Sequence, residues 1–195
     1  MLSALGGGLA VGASIKVSEA YGAGDFKLVK RRVSTLFALC GILGADILLI
    51  LVPFAPQFLR LARTPEEFIT EGTTYFILDL FGIVLNFFNS VYIAIERARG
   101  NSQRILHLNM GVIVVKLALT ALFVYVFHSG INMIAVATII SQLLMFSAAI
   151  YHLSRKGNAF SFSLRSISLK RRVVRPMVLL SVPVIIEKMA FSFGK

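Results

Sequence analysis

Four ionisable residues lie inside long apolar stretches of this chain: Asp46, Asp79, Lys116 and Glu187. An ionised side chain in hydrocarbon costs about 2.5–3.5 kcal/mol on insertion scales, so such residues face a bundle interior or a water-filled cavity. There they can hold an ion or a charged substrate. At about 1.5 Å per helical residue, Asp46 and Glu187 lie about 16 Å in from one end of their stretches, near the middle of a bilayer. Lys116 and Asn89 are shallower from that same side, and Asp79 is nearer the opposite surface. A midplane carboxylate can bind a cation and release it when protonated or displaced. Lys116 beside such a carboxylate would keep it ionised, because a positive neighbour lowers an acid's pKa.

The polar neighbours follow a helical period. Tyr75, Asp79, Gly82, Asn86 and Asn89 fall within an arc of about 80° at ~100° per residue. Asn109, Lys116 and Thr120 form a similar stripe on the next apolar stretch, and the two stripes are expected to meet near Asn89 and Lys116. A stripe of this kind either bonds a neighbouring helix or lines a cavity. Pro183 precedes Glu187 by four residues and frees the carbonyl of Leu179, so a kink is expected there. A kinked helix with a midplane carboxylate suits a gated site. The alternative is a packing kink, with Glu187 paired to Lys188 or turned to the lumen. His107, His128 and His152 share no metal-ligand spacing. The chain has neither a phosphate loop ending in Gly-Lys-Ser/Thr nor a Gly-x-Ser-x-Gly elbow. It reads as a non-enzyme that needs no cofactor.

The elements that carry these residues are membrane helices. Of 195 residues, 57% are hydrophobic and 15% charged, too few charges for an ordinary soluble domain. The apolar stretches run over about 1–18, 35–59, 73–95, 110–127 and 131–153, with a last one at 176–193. In the first, Ala4, Gly8 and Gly12 recur every four residues, a face that lets helices approach closely. The five gaps between the stretches hold five, two, three, no and seven Lys and Arg in turn. Translocated loops shed Lys and Arg, so 16–34, 96–109 and 154–175 are expected in the cytoplasm. These three gaps hold fifteen of the twenty basic residues. The net charge of +11 therefore follows topology, and a nucleic-acid-binding face is excluded. The 154–175 segment, basic and rich in Ser, is expected to lie on anionic lipid. Met1–Ile15 lacks a basic start and is short for a span. The chain is thus expected to start part-way into a helix and to break off within another. Cys40 is the sole cysteine, so no internal disulfide forms.

Several local patterns, among them Ser18-Glu-Ala-Tyr-Gly-Ala-Gly-Asp25, Glu96-Arg-Ala-Arg-Gly-Asn101 and Ser181-Val-Pro-Val-Ile-Ile-Glu187, together resemble the multidrug and toxic compound extrusion (MATE) family. Ser18-Glu-Ala-Tyr-Gly-Ala-Gly-Asp25 with Arg31-Arg32 is similar to the turn after that family's second helix. Glu96-Arg-Ala-Arg-Gly-Asn101 with Asn109 is similar to the turn after the fourth. Ala135-Val-Ala-Thr138 with Ser141-Gln142 resembles the opening of the sixth, and Ser181-Val-Pro-Val-Ile-Ile-Glu187 the start of the seventh. Glu19 stands where Gln is usual, and Met133 where Gly is.

The resemblance implies an all-α polytopic bundle of five to six spans, matching helices 2–7 of a twelve-helix, two-lobe transporter. Residues 1–153 would belong to the first lobe, 154–175 to the cytoplasmic link, and 176–195 to the start of the second lobe, whose remainder would be the chief partner. It also implies multi-pass residence in the inner membrane and export of amphipathic, often cationic compounds against inward Na⁺ or H⁺. Asp46, Glu187, Asn86, Asn89, Lys116, Gln142 and Asp79 are the expected cavity residues. A lipid-linked oligosaccharide flippase and a non-transporting scaffold subunit are the alternatives. The acids in the spans argue against the cationic lumen that a flippase needs for pyrophosphate.

Overall fold

The structure, a computed structural model, describes residues 2–61, 65–127, 130–154, 166–168 and 170–193. Seven α-helices follow in order: α1 (Leu2–Gly22), α2 (Phe26–Leu51), α3 (Ala55–Leu61), α4 (Ile69–Ala98), α5 (Ser102–Ala121), α6 (Ile131–Ser154) and α7 (Arg171–Phe193). A 3₁₀ turn at Glu66–Phe68 leads into α4, and a π turn at Leu122–Val126 ends α5. Among the described residues, four helical stretches are long and apolar enough to cross a membrane: Phe26–Leu51, Glu66–Ala98, Ser102–Val126 and Ile131–Ser154. α1 and α7, of 21 and 23 residues, pack along each other beside them.

Local chemistry sets the helix ends. α1 closes with Gly24 at φ 72°, where Asp25 N–H donates to Ala20 O (3.1 Å) and Gly24 N–H to Tyr21 O (3.0 Å). This closing motif needs a left-handed residue, which glycine adopts without a Cβ penalty. The Asp25 carboxylate then accepts from Leu28 N–H at 3.0 Å and starts α2. The turn after α4 repeats the device: Gly100 has φ 79°, Asn101 N–H donates to Glu96 O (3.0 Å) and Gly100 N–H to Arg97 O (2.9 Å). The second apolar stretch does not run unbroken to Leu59 as expected. α2 starts at Phe26 and stops at Leu51, and a turn at Val52–Phe54 separates it from α3. Pro53 has no N–H to continue the ladder and its ring crowds the preceding turn. In α7, by contrast, Pro183 sits within a continuous helix.

α4 stands at the centre, packed by α1, α2 and α6, with α7 outside α1 and α5 outside α6. The core joins Ala10, Ala13 and Val17 of α1, Val33, Leu36 and Cys40 of α2, Leu80, Phe87 and Val91 of α4, and Met145 and Ala149 of α6. Phe37, Phe88 and Phe146 link α2, α4 and α6, with ring centroids 6.2 and 5.5 Å apart. Each such ring pair contributes about 0.5–1.5 kcal/mol beyond its burial. α5 buries Ile105 alone among its residues and shows Met110, Ile113, Val114 and Leu117 outward, a surface suited to lipid.

The three basic gaps converge on one end of the bundle. Arg32 Nη1 donates to the Lys16 carbonyl, tying α2 to α1. Thr35, fully buried, donates through Oγ1 to Ser168 O (3.3 Å) and accepts from Ser168 N–H (3.1 Å), tying the link to α2. His152 of α6 stacks on Tyr92 of α4 with centroids 6.4 Å apart. Most of the expected surface segment, residues 155–165 and 169, lies outside the described residues, as does His128.

Candidate functional site

Three consecutive glycines on α1 each receive a different neighbour. A β-carbon on Gly6 would overlap the Phe87 ring of α4. One on Gly8 would sit 2.9 Å from Ile185 Cα of α7. One on Gly7 would lie 3.0 Å from Lys188 Nζ of α7 and 3.9 Å from Ser90 Oγ of α4. A turn further on, Gly12 meets the α7 backbone, where a β-carbon would be 2.7 Å from Leu180 O. Ser181 Oγ, buried, shares its single proton between Leu9 O across the seam (3.1 Å) and Met177 O along its own helix (2.8 Å). The Gly8 and Gly12 part of the four-residue repeat is therefore the contact face for α7.

The polar stripe of α4 divides between two neighbours. Asn89, buried, donates through Nδ2 to Gln142 Oε1 (2.6 Å) and Gln142 O (3.1 Å) on α6. Gly82 faces Ile139 of the same helix. Asn86 Oδ1 accepts from Ser90 Oγ (3.2 Å), on the side of α1 and Lys188. The expected meeting of Asn89 with Lys116 does not occur. α6 takes the face of α4 that α5 was expected to take, and Lys116 is exposed on α5. No ion pair joins Lys116 to a carboxylate among the described residues, so it has no acid to hold ionised.

The charged candidates are not gathered. Asp46 is exposed on α2, on the face of Ile42, Leu49 and Ile50. Asp79 is exposed on α4, and Glu187 is exposed on α7. α1 stands between α2 and α7, so Asp46 and Glu187 are apart. Glu187 forms no ion pair with Lys188. Among the described residues, no three His, Cys, Asp or Glu come together to hold a metal ion.

One cluster escaped the sequence reading. Glu96, fully buried, accepts from Arg99 Nη1 (2.7 Å), Asn101 Nδ2 (3.2 Å) and Arg104 Nη1 (3.3 Å). It clamps the turn between α4 and α5 at the basic end. The Glu-x-x-Arg spacing before Gly100 was its available signal. The gap around it was read for topology and for its likeness to a family turn, both of which assign Glu96 to a loop. Lys188 was likewise weighed only as a partner for Glu187.

A bundle of long apolar helices with buried polar cross-links and small-residue seams is a multi-pass membrane protein. The sequence model of the MatE family matches residues 1–122, and the chain belongs to that family. It is 24% identical over 195 residues to "Probable multidrug resistance protein YoeA" of Bacillus subtilis (strain 168), covering 96% of this chain and 42% of that protein. It is similar in fold to the outward-facing conformation of a multidrug resistance MATE family transporter of the MOP superfamily, with TM-score 0.90, 23% identity, and coverage of 98% of this chain and 43% of that one. An inward-facing conformation of such a transporter also matches, with TM-score 0.86, 22% identity and 98% and 44% coverage. The chain thus spans less than half the length of these relatives.

Proposed function

We propose that the chain is the first-lobe part of an exporter that moves amphipathic compounds, cationic ones among them, out of the cell against inward Na⁺ or H⁺. The observation that carries this reading is the alignment of nearly the whole chain with a protein named for multidrug resistance. The α1–α7 seam fits it physically: α7 follows the link between lobes, and its close contact with α1 would be the surface on which one lobe rocks against the other. The other partner surface would be the second lobe of the same polypeptide. The ends of α1, α4 and α6 would face the cytoplasm, since Lys and Arg gather there. Glu187, exposed on an apolar helix near midplane depth, would bind the coupling ion or a cationic substrate. Asn86, Asn89 and Gln142 would order the polar wall.

The test is dye efflux from cells expressing the full polypeptide, with natural Glu187 and with Glu187→Gln. Export by the natural protein that collapses at least tenfold in the variant, with equal amounts in the membrane, supports the reading. Undiminished export by Glu187→Gln removes Glu187 from it, and no export by either protein removes the exporter itself.

A further inference from the structure

We propose that Lys188, with Asn86 and Ser90, forms a binding site for the anionic group of an amphipathic substrate, such as the carboxylate of an anionic or zwitterionic compound. The inference deepens the exporter reading and rests on it for its physiological sense.

Three observations carry it. First, the Lys188 ammonium and the Ser90 hydroxyl approach the same spot, 3.0 and 3.9 Å from where a β-carbon on the buried Gly7 would stand, so the absence of a side chain at residue 7 admits the ammonium. The glycines on either side meet Phe87 and Ile185, so of the three only Gly7 has a charged group against it. Second, Lys188 has no ion pair and no hydrogen bond among the described residues. Glu96 is engaged by Arg99, Asn101 and Arg104. Asp46, Asp79 and Glu187 lie on exposed faces. Lys188 is one residue beyond Glu187, at the depth where an ammonium without a counter-ion marks a functional group. Third, the remaining hydrogen-bonding capacity is donor-rich. The Ser90 proton goes to Asn86 Oδ1, which leaves the Asn86 amide N–H₂ and the three ammonium protons. Donors of this kind match a carboxylate. Lys188, Asn86 and Ser90 are each only partly buried, so a ligand can reach them.

The experiment measures binding of 11-(dansylamino)undecanoate and of its primary amide to the full polypeptide in phosphatidylcholine nanodiscs, corrected for empty discs. The natural protein and Lys188→Arg are expected to bind the carboxylate about tenfold more tightly than the amide, the scale of one charge-assisted contact. Lys188→Cys should bring the ratio to about one. Modifying that cysteine with 2-aminoethyl methanethiosulfonate should restore the preference in the same folded sample; Cys40 is buried and spared. A ratio near one in the natural protein, or one unchanged in Lys188→Cys, overturns the proposal. Because the readout is binding, absence of dye efflux with the preference intact would count against the exporter reading and not against this site.

Discussion

Gly12→Ala probes the α1–α7 seam most directly. The added methyl would stand 2.7 Å from Leu180 O and 2.7 Å from Ser181 N, both backbone atoms that cannot swing away. Comfortable contact needs about 3.5 Å or more, so α7 must retreat by roughly 1 Å. Overpacking of that kind costs about 1–3 kcal/mol. The same retreat stretches the Ser181–Leu9 bond, 3.1 Å in the natural protein, to about 4 Å and breaks it. Interhelical bonds in membranes average about 0.6 kcal/mol. The better helix propensity of Ala returns up to about 1 kcal/mol. The net loss is about 1–3 kcal/mol. Gly111→Ala is the control, since a β-carbon there meets nothing within 4 Å and should leave stability equal or raised. The assay is reversible unfolding of the full polypeptide in mixed micelles, run as a cycle with Ser181→Ala. Ser181→Ala should cost about 0.6 kcal/mol alone and close to nothing on the Gly12→Ala background. The seam argument is refuted if Gly12→Ala matches the natural protein, or if Ser181→Ala costs the same in both backgrounds.

Glu96→Ala should destabilise by about 1.5–3 kcal/mol, because it removes the buried carboxylate that accepts from Arg99, whose side chain is 13% exposed, while the 42% exposed Arg104 adds little. Glu96→Gln, which keeps an acceptor, should cost about half as much, and hydrogen exchange at residues 96–104 should rise in step with the loss. Asn89→Leu leaves Gln142 Oε1 without its donor and should cost about 1–2 kcal/mol in the same unfolding assay. Lys116→Met should leave stability within about 0.5 kcal/mol, since no carboxylate pairs with it; a loss as large as that of Asn89→Leu would restore the α4–α5 contact expected from the stripes.

The sequence by itself determined the class and the way the basic turns cluster, though not every span, since the stretch read as 35–59 is broken after Leu51. Lys and Arg stay out of hydrocarbon at any helix arrangement, so their spacing alone marks which turns share an end, and the contacts Arg32–Lys16, Thr35–Ser168 and Tyr92–His152 gather those turns together. The four-residue repeat of Gly8 and Gly12 was legible for the same reason, because backbone approach needs small residues at helical spacing. Helical periodicity also placed Asn86 and Asn89 on one face, yet a wheel cannot say which helix meets that face. Packing gave it to α6, so Asn89 found Gln142 and Lys116 was left outside. Only the tertiary structure separated Asp46 from Glu187, buried Glu96 among two arginines and an asparagine, and brought Lys188 across Gly7 toward Ser90. These are contacts between residues far apart in the chain or across a turn. Their partners are fixed by which helices pack together, a property that no single stretch of residues encodes.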